Sequence, residues 1–282
     1  MKHTDTELEE ILNQLIASTR SPRGRFSATA SYPELEKRLK SHTRHLTLIR
    51  TFSAAAAVAL LCLSVWTAYL YMQPAAIQTI STLAETRTVR LPDGSSVMLN
   101  HYSSLSYPEK FQSDKREVEL NGEAYFEVTR NEEIPFKVHT EELDVKVLGT
   151  KFNFRNYKDD LEAKVCLLEG KVALNTRQKE TILHPDQQAL LDKKTGKLFV
   201  SGTKAAYSAE WTNDRLYFDE ILLSDIIKEL ERSYDVKITV ADDTLNTIRF
   251  YGNFRKREQS IQEIMNVLSS TDKMTYTING KN

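Results

Sequence analysis

Cysteine is scarce in this chain of 282 residues: Cys62 and Cys166 are the only two, too few for a disulfide scaffold or a four-thiolate zinc site. Glycine (9) and proline (7) are also sparse, which excludes a collagen-like repeat and a mostly disordered chain. No excess charge of one sign is present. With 38 basic and 39 acidic side chains the net charge is −1, so the protein has no global field to hold a nucleic-acid backbone. Catalytic signatures are missing too, with no HExxH, GxSxG, P-loop or GxGxxG run. The histidines His3, His42, His45, His101, His139 and His184 keep no ligand spacing beyond the i, i+3 pair His42 and His45, which reads as a solvated face. The expectation is a non-enzymatic protein without metal or cofactor, long enough for about two domains.

Charge itself is absent from one stretch, Thr51 to Ala84. Within it Phe52 to Met72 reads FSAAAAVALLCLSVWTAYLYM, which as a helix is roughly 30 Å long and matches a bilayer core. Trp66, Tyr69 and Tyr71 crowd its C-terminal end as an interfacial aromatic belt does, and Pro74 follows where a helix stops. Upstream lie Lys37, Arg38, Lys40, Arg44 and Arg50, whereas the first basic residue downstream is Arg87. The positive-inside rule then places 1–50 in the cytoplasm and the remainder across the membrane. Under that topology Cys62 sits in lipid and cannot pair with Cys166. Fifty mostly polar residues precede the apolar run, so it does not read as a cleaved signal peptide.

What is present sorts into three patterns. Leu8, Ile11, Leu12, Leu15 and Ile16 recur at i, i+3, i+4, i+7 and i+8, one apolar stripe on a helix whose other face carries Glu7, Glu9, Glu10, Asn13 and Gln14. A weaker helix runs from Pro33 through Leu35, Leu39 and Leu46, after a flexible linker. A segment this poor in aromatics buries little core. It reads either as a small helical hairpin or disordered leader, or as a segment that folds against a partner and supplies an apolar helix face to its groove. From 85 to 203 the period changes to two. Strands are expected at 88–91, 96–99, 117–120, 124–128, 136–139, 144–148, 151–154, 164–168, 172–174 and 188–191, with turns at Pro92-Asp93-Gly94, Asn121-Gly122, Glu169-Gly170 and Thr195-Gly196. That is an all-β domain, a sandwich or a coiled β-structure. From 211 to 282 a helix–strand unit occurs twice, with strands near 216–218 and 248–254 leading helices that start at Ser224 and Ser260, and strands at 236–240 and 274–278 following. Ser260 and Glu263 form a capping box. The expectation is a duplicated βαβ unit, a small α+β domain.

Candidates for chemistry are few. Glu119, Glu123 and Glu127 recur every fourth residue, the residue type of glycoside hydrolysis, but they read as surface or turn acids. Tyr102, Tyr107 and Tyr157 are possible stacking platforms for a glycan, with core or interface roles as the commoner alternative. The Gly149-Thr150 bond, in VKVLGTKFNF, offers a hydroxyl directly after a glycine carbonyl. Such a hydroxyl can attack that carbonyl and shift the acyl group from N to O, although a plain turn accounts for the same dipeptide.

The runs LPDGSSVMLNHYSSLSYPEKF (91–111), REVELNGEAYFEV (116–128), PFKVHT (135–140), VKVLGTKFNF (145–154) and LLEGKVAL (167–174) closely resemble the FecR family of transmembrane anti-sigma regulators. Phe218 to Ile278 resembles the C-terminal domain fused to that module in Bacteroidetes-type members, related to the short signalling domain of secretins and TonB-dependent receptors. The resemblance implies a single-span protein of the inner membrane. Its cytoplasmic segment (1–50) would bind an extracytoplasmic-function sigma factor, after a span at 52–72. Its periplasmic all-β domain (85–203) and α+β domain (211–282) would receive a signal from a TonB-dependent outer-membrane transporter. Transcription of iron or glycan uptake genes would be controlled without contact with DNA. Some relatives are processed at a Gly-Thr bond in the position of Gly149-Thr150. The other class of reading is a membrane-anchored periplasmic glycan-binding or scaffold protein with no regulatory role.

Overall fold

The fold is described from a computed structural model of the chain and covers residues 5–18, 33, 37, 52–69, 76–176 and 179–278. The chain divides into two units, 1–74 and 75–282.

In the first unit, α1 (Asp5–Ser18) forms where the apolar stripe predicts it. Of the expected second helix only Pro33 and Lys37 fall within the described residues, and both are helical. Helix α2 (Phe52–Tyr69) is long and apolar enough to cross a membrane, and none of its side chains is buried by protein. The residues 70–72 that would complete the expected span lie outside the described residues. Ser64 and Thr67 donate their hydroxyls back to the carbonyls of Leu61 (2.8 Å) and Ser64 (3.0 Å). Polar groups satisfied within the helix are what a hydrocarbon surrounding demands.

The second unit opens with thirteen strands in two layers that share one strand. The first layer runs β1 (Ile77–Ser81), β4 (Ser104–Pro108), β5 (Arg116–Glu127), β6 (Phe136–His139), β7 (Asp144–Val147), β10 (Val172–Asn175), β11 (Glu180–Leu183). The second runs β2 (Arg87–Arg90), β3 (Ser96–Leu99), β5 again, β8 (Lys151–Asn156), β9 (Glu162–Glu169), β12 (Gln187–Asp192), β13 (Leu198–Gly202). The β5–β6 pair is parallel, and the other ladders among the described residues are antiparallel. Inward side chains of both layers merge into one apolar cluster, so of the two β architectures expected the sandwich is the one that forms.

The shared strand corrects an expectation. Asn121-Gly122 is not a hairpin turn; one twelve-residue strand passes straight through it. Residues 116–121 pair with β4 and β6, and 122–127 pair with β3 and β8. The strand changes layer at Gly122, where φ is +106° and a Cβ would stand 2.4 Å from Ser103 Oγ. Glycine is required there because Ser103, just before β4, already occupies the side-chain position.

The C-terminal part holds β14 (Arg215–Leu222) and β15 (Arg249–Arg255), which form a two-stranded antiparallel sheet. Each leads into a helix, α3 (Leu223–Tyr234) and α4 (Ile261–Ser269), and the capping box at Ser260 and Glu263 is present. The expected strands at 236–240 and 274–278 are corrected: neither joins a ladder. Ile238, Val240 and Tyr276 still pack on the core of this part, so their alternation records one buried face without hydrogen-bonded neighbours. The unit is therefore βα repeated, not βαβ repeated.

Candidate functional site

On α1 the stripe residues Ile11, Leu12 and Leu15 are 48%, 49% and 60% exposed. Leu8 and Ile16 belong to the same helix, but their side chains lie outside the described residues. A fourteen-residue helix is marginal in isolation, and the exposed side chains of Ile11 and Leu12 add to its stability only when they are covered.

Gly149 and Thr150 join β7 to β8. Gly149 has φ +157°, and a Cβ there would stand 2.6 Å from Arg130 Cα, so the neighbouring chain occupies the side-chain position. The carbonyls on either side are both held. Asn131 N–H donates to Leu148 (2.7 Å) and Val128 N–H donates to Thr150 (3.0 Å). The Thr150 hydroxyl is buried and donates to the Lys171 carbonyl at 3.1 Å. Arg116 pins the covering loop, donating to the carbonyls of Ile134, Thr129 and Asn131 and to Asp93 (2.9 Å). The bond is thus held in a glycine-only conformation next to a hydroxyl whose proton is directed at a backbone oxygen.

An extensive polar cluster joins the β-sandwich to the C-terminal part, and sequence reasoning missed it. Glu123 is 5% exposed, accepting from Asn153 Nδ2 (2.7 Å) and Asn100 Nδ2 (2.9 Å), with Arg155 at 3.9 Å. Asn153 in turn accepts from the Trp211 indole at 3.1 Å. Arg155 pairs with Asp160 (3.0 Å) and crosses to Glu229 of α3 (2.9 Å). Arg232 of α3 returns the crossing to Asp160 (2.8 Å) and Asp159 (2.9 Å), its guanidinium 3.7 Å from the centre of the Tyr157 ring. Lys228 adds a contact to Asp160 at 3.3 Å. Beside them Lys256 donates to His101 Nε2 at 2.7 Å and to the Ala84 carbonyl at 3.2 Å, and Ser233 lies 3.5 Å from His101 Nδ1. Tyr102 hydrogen-bonds Asp235, the C-cap of α3.

The electrostatics follow from this crowding. Burial works to raise the Asp160 carboxyl, but the charges of Arg155, Arg232 and Lys228 outweigh it and hold it at about 2. Burial raises Glu123, with Glu229 adding to the rise and Arg155 opposing it. Burial and the Lys256 charge push His101 down to about 4, against opposite pulls from Glu229 and Asp214. Neutral His101 accepts the Lys256 proton; protonated, it would set two cations against each other. Its folded value lies below the ordinary 6.5, so its contribution is whole above 6.5 and is lost as pH falls through about 4. Asp160 contributes above its ordinary 3.8, and that contribution is lost only as pH falls through about 2. The expected result is that the thermal midpoint falls between pH 6.5 and 4. His101→Gln, which stays uncharged, should flatten this part of the profile and leave the steeper loss below it.

The carboxylate series separates under this geometry. Glu119 and Glu127 are exposed, whereas Glu123 is neither a surface nor a turn acid but a buried acceptor tied to two amides. The tyrosines separate too: Tyr107 and Tyr157 are buried at 6% and 4%, and Tyr157 carries Arg232 on its ring, so only Tyr102 keeps an exposed face.

Two family models match the second unit: one described as "FecR protein" over residues 78–173 and one described as "FecR, C-terminal" over 215–282. Two crystal structures, at 2.50 and 1.65 Å resolution, of a candidate anti-sigma factor from Parabacteroides distasonis ATCC 8503 share the fold. Each is 32% identical, with a TM-score of 0.68, over 72% of this chain and 95% of that one. No curated protein matches.

Proposed function

The chain belongs to the FecR family of anti-sigma factors, and from that premise we propose that α1 is the element that grips an extracytoplasmic-function sigma factor. The observation that carries this reading is the apolar stripe of α1, exposed at Ile11 and Leu12, in a unit whose helix α2 is long and apolar enough to cross a membrane. The first waits for a protein groove and the second for lipid. A sigma factor held this way stays at the membrane until the contact is released.

The remaining parts of the relay follow from the charge pattern and the resemblance. The chain crosses the inner membrane once, N-terminus in the cytoplasm, because the basic residues cluster before α2. The sandwich and the C-terminal part face the periplasm, where the signalling domain of a TonB-dependent transporter reports the arrival of an iron complex or a glycan. The Gly149-Thr150 bond is a site of self-scission. Thr150 Oγ adds to the Gly149 carbonyl carbon, the C–N bond breaks to leave an ester and a free Thr150 amine, and water then cleaves the ester to a Gly149 carboxylate and the restored hydroxyl.

Leu12→Asp tests the grip. A carboxylate set into an apolar groove costs several kcal/mol, so capture of the sigma factor should fall by about a hundredfold or more. Co-purification of the full chain from membranes, followed by mass spectrometry of the bound protein, measures it. Undiminished capture by the Asp variant would remove α1 from the contact.

A further inference from the structure

The second unit contains two apolar cores that share no residue among those described, one in the sandwich and one formed by β14, β15, α3 and α4. Each is closed on its own. Helix α3 divides its faces accordingly, with Leu223, Ile226, Ile227 and Leu230 buried in its own core and Lys228, Glu229 and Arg232 turned to the sandwich. The face that joins the two bodies is therefore charged, three cations (Arg155, Lys228, Arg232) against three carboxylates (Asp159, Asp160, Glu229). Ion pairs taken from water return little net affinity, because desolvation nearly cancels their attraction, but they demand one geometry, and losing one partner is severe. Such a joint is specific and releasable, unlike an apolar seam of the same extent.

We propose that this charged face of α3 is an autoinhibitory latch: docked on the Arg155–Asp160 segment in the resting protein, it is released when the C-terminal part takes its periplasmic partner, and release frees the sigma factor. Docking carries Lys256 onto the Ala84 carbonyl and His101. Release would therefore also withdraw Lys256 from the Ala84 carbonyl, just after β1, while β1 itself stays paired with β4. The inference rests on the anti-sigma reading for its output, but not for the latch itself.

The test uses the full chain in nanodiscs, with donor and acceptor dyes at Ile182 and Val267, both exposed. Arg232→Glu places a fourth carboxylate among Asp159, Asp160 and Glu229, and should shift the open-to-closed ratio at least tenfold. Arg232→Lys, which keeps a cation opposite Asp160 and leaves that carboxylate's pairs with Arg155 and Lys228 in place, should retain most of the closed state. Intact far-ultraviolet circular dichroism would show that both cores persist. In cells, Arg232→Glu should raise a sigma-dependent reporter several-fold without inducer, and Arg232→Lys should stay near the resting level. Unchanged energy transfer in Arg232→Glu, or an Arg232→Lys chain as open as the Glu variant, overturns the latch. An open joint with an unmoved reporter overturns its regulatory role. Failure of the Leu12→Asp experiment would instead strike the sigma-factor grip and leave the dye measurement untouched.

Discussion

Phe126→Ala is expected to destabilise the second unit by about 4 kcal/mol, a large share of the roughly 5–15 kcal/mol that holds a domain folded. Phe126 is completely buried on the half of β5 that belongs to the second layer. Its ring stacks on Phe152 of β8 at 4.8 Å between centroids, and meets Phe136 of β6, in the first layer, edge-on at 6.4 Å. The three rings connect the layers next to the strand that both layers share. Removing the central one leaves a void that paired strands on each side cannot close, so the transfer loss and the cavity loss add. Chemical denaturation of the full chain, followed by loss of β-sheet signal, would show the midpoint fall. Phe152→Ala should fall by a similar amount. The double variant should lose less than the sum, because the stacking contact, worth about 1 kcal/mol, can be lost only once. Full additivity would mean that the rings act independently and that the contact does not couple the strands.

Those strands show how far the sequence can be read. Strands 96–99 and 136–139 have alternating apolar positions and a solvent or core face to match, so period two finds them at their observed bounds. Strands β1 and β13 escaped because they are edge strands with almost no buried face: in β1 only Ile80 is partly buried, and in β13 only Leu198. Backbone pairing defines such a strand, and pairing leaves no mark in side-chain polarity. The Asn-Gly signal misled for a related reason. A glycine at positive φ serves a tight turn or a strand that changes layer equally well, and only the partners on either side tell them apart. The extended segments after α3 and α4 err in the other direction, since alternation reports a buried face and is silent on whether a neighbour lies within hydrogen-bonding reach.

The candidate sites were legible in the same uneven way. The α1 stripe and the Gly149-Thr150 pair are local in sequence, so a helical period and a dipeptide are enough to single them out. The joint is not local: Glu123, Arg155, Asp160, Glu229 and Arg232 are brought together across more than a hundred residues. A signal did exist on α3, where Lys228, Glu229 and Arg232 share one face at i, i+1 and i+4 opposite the apolar stripe. Read alone, that face looks like any solvated charged face. Its burial follows only from the acidic pair Asp159-Asp160 in the turn between β8 and β9, which the chain sets against it.

Gly149→Ala is the remaining large effect, expected to cost about 3 kcal/mol or more: the glycine-only backbone accounts for roughly 1–3 and overpacking for a similar amount. The new methyl would meet Arg130 Cα and Cβ at 2.6 Å. The bond cannot swing aside to relieve the clash, since Leu148 and Thr150 are both tied to the loop through their carbonyls. The same rigidity makes this variant unsuitable for testing self-scission, because it would stop the reaction by deforming the fold. Thr150→Val separates the two. It keeps the side-chain shape, removes the nucleophile, and sacrifices one hydrogen bond to Lys171, about 1 kcal/mol. If Thr150 attacks Gly149, the wild-type and Thr150→Ser chains should each give two fragments on denaturing electrophoresis, with the second beginning at residue 150, while the Val chain stays whole. On size exclusion without denaturant all three should run as one species. Strands β6 and β10 retain β7, and β5 and β9 retain β8, so breaking the chain between them leaves the sandwich assembled. Fragments from the Val chain identical to those of wild type would assign the cut to a protease and not to Thr150. Because the cut pieces stay paired, scission alone would release nothing. It would only lower the barrier to pulling the sandwich apart, and the pull would have to come from whatever engages the C-terminal part.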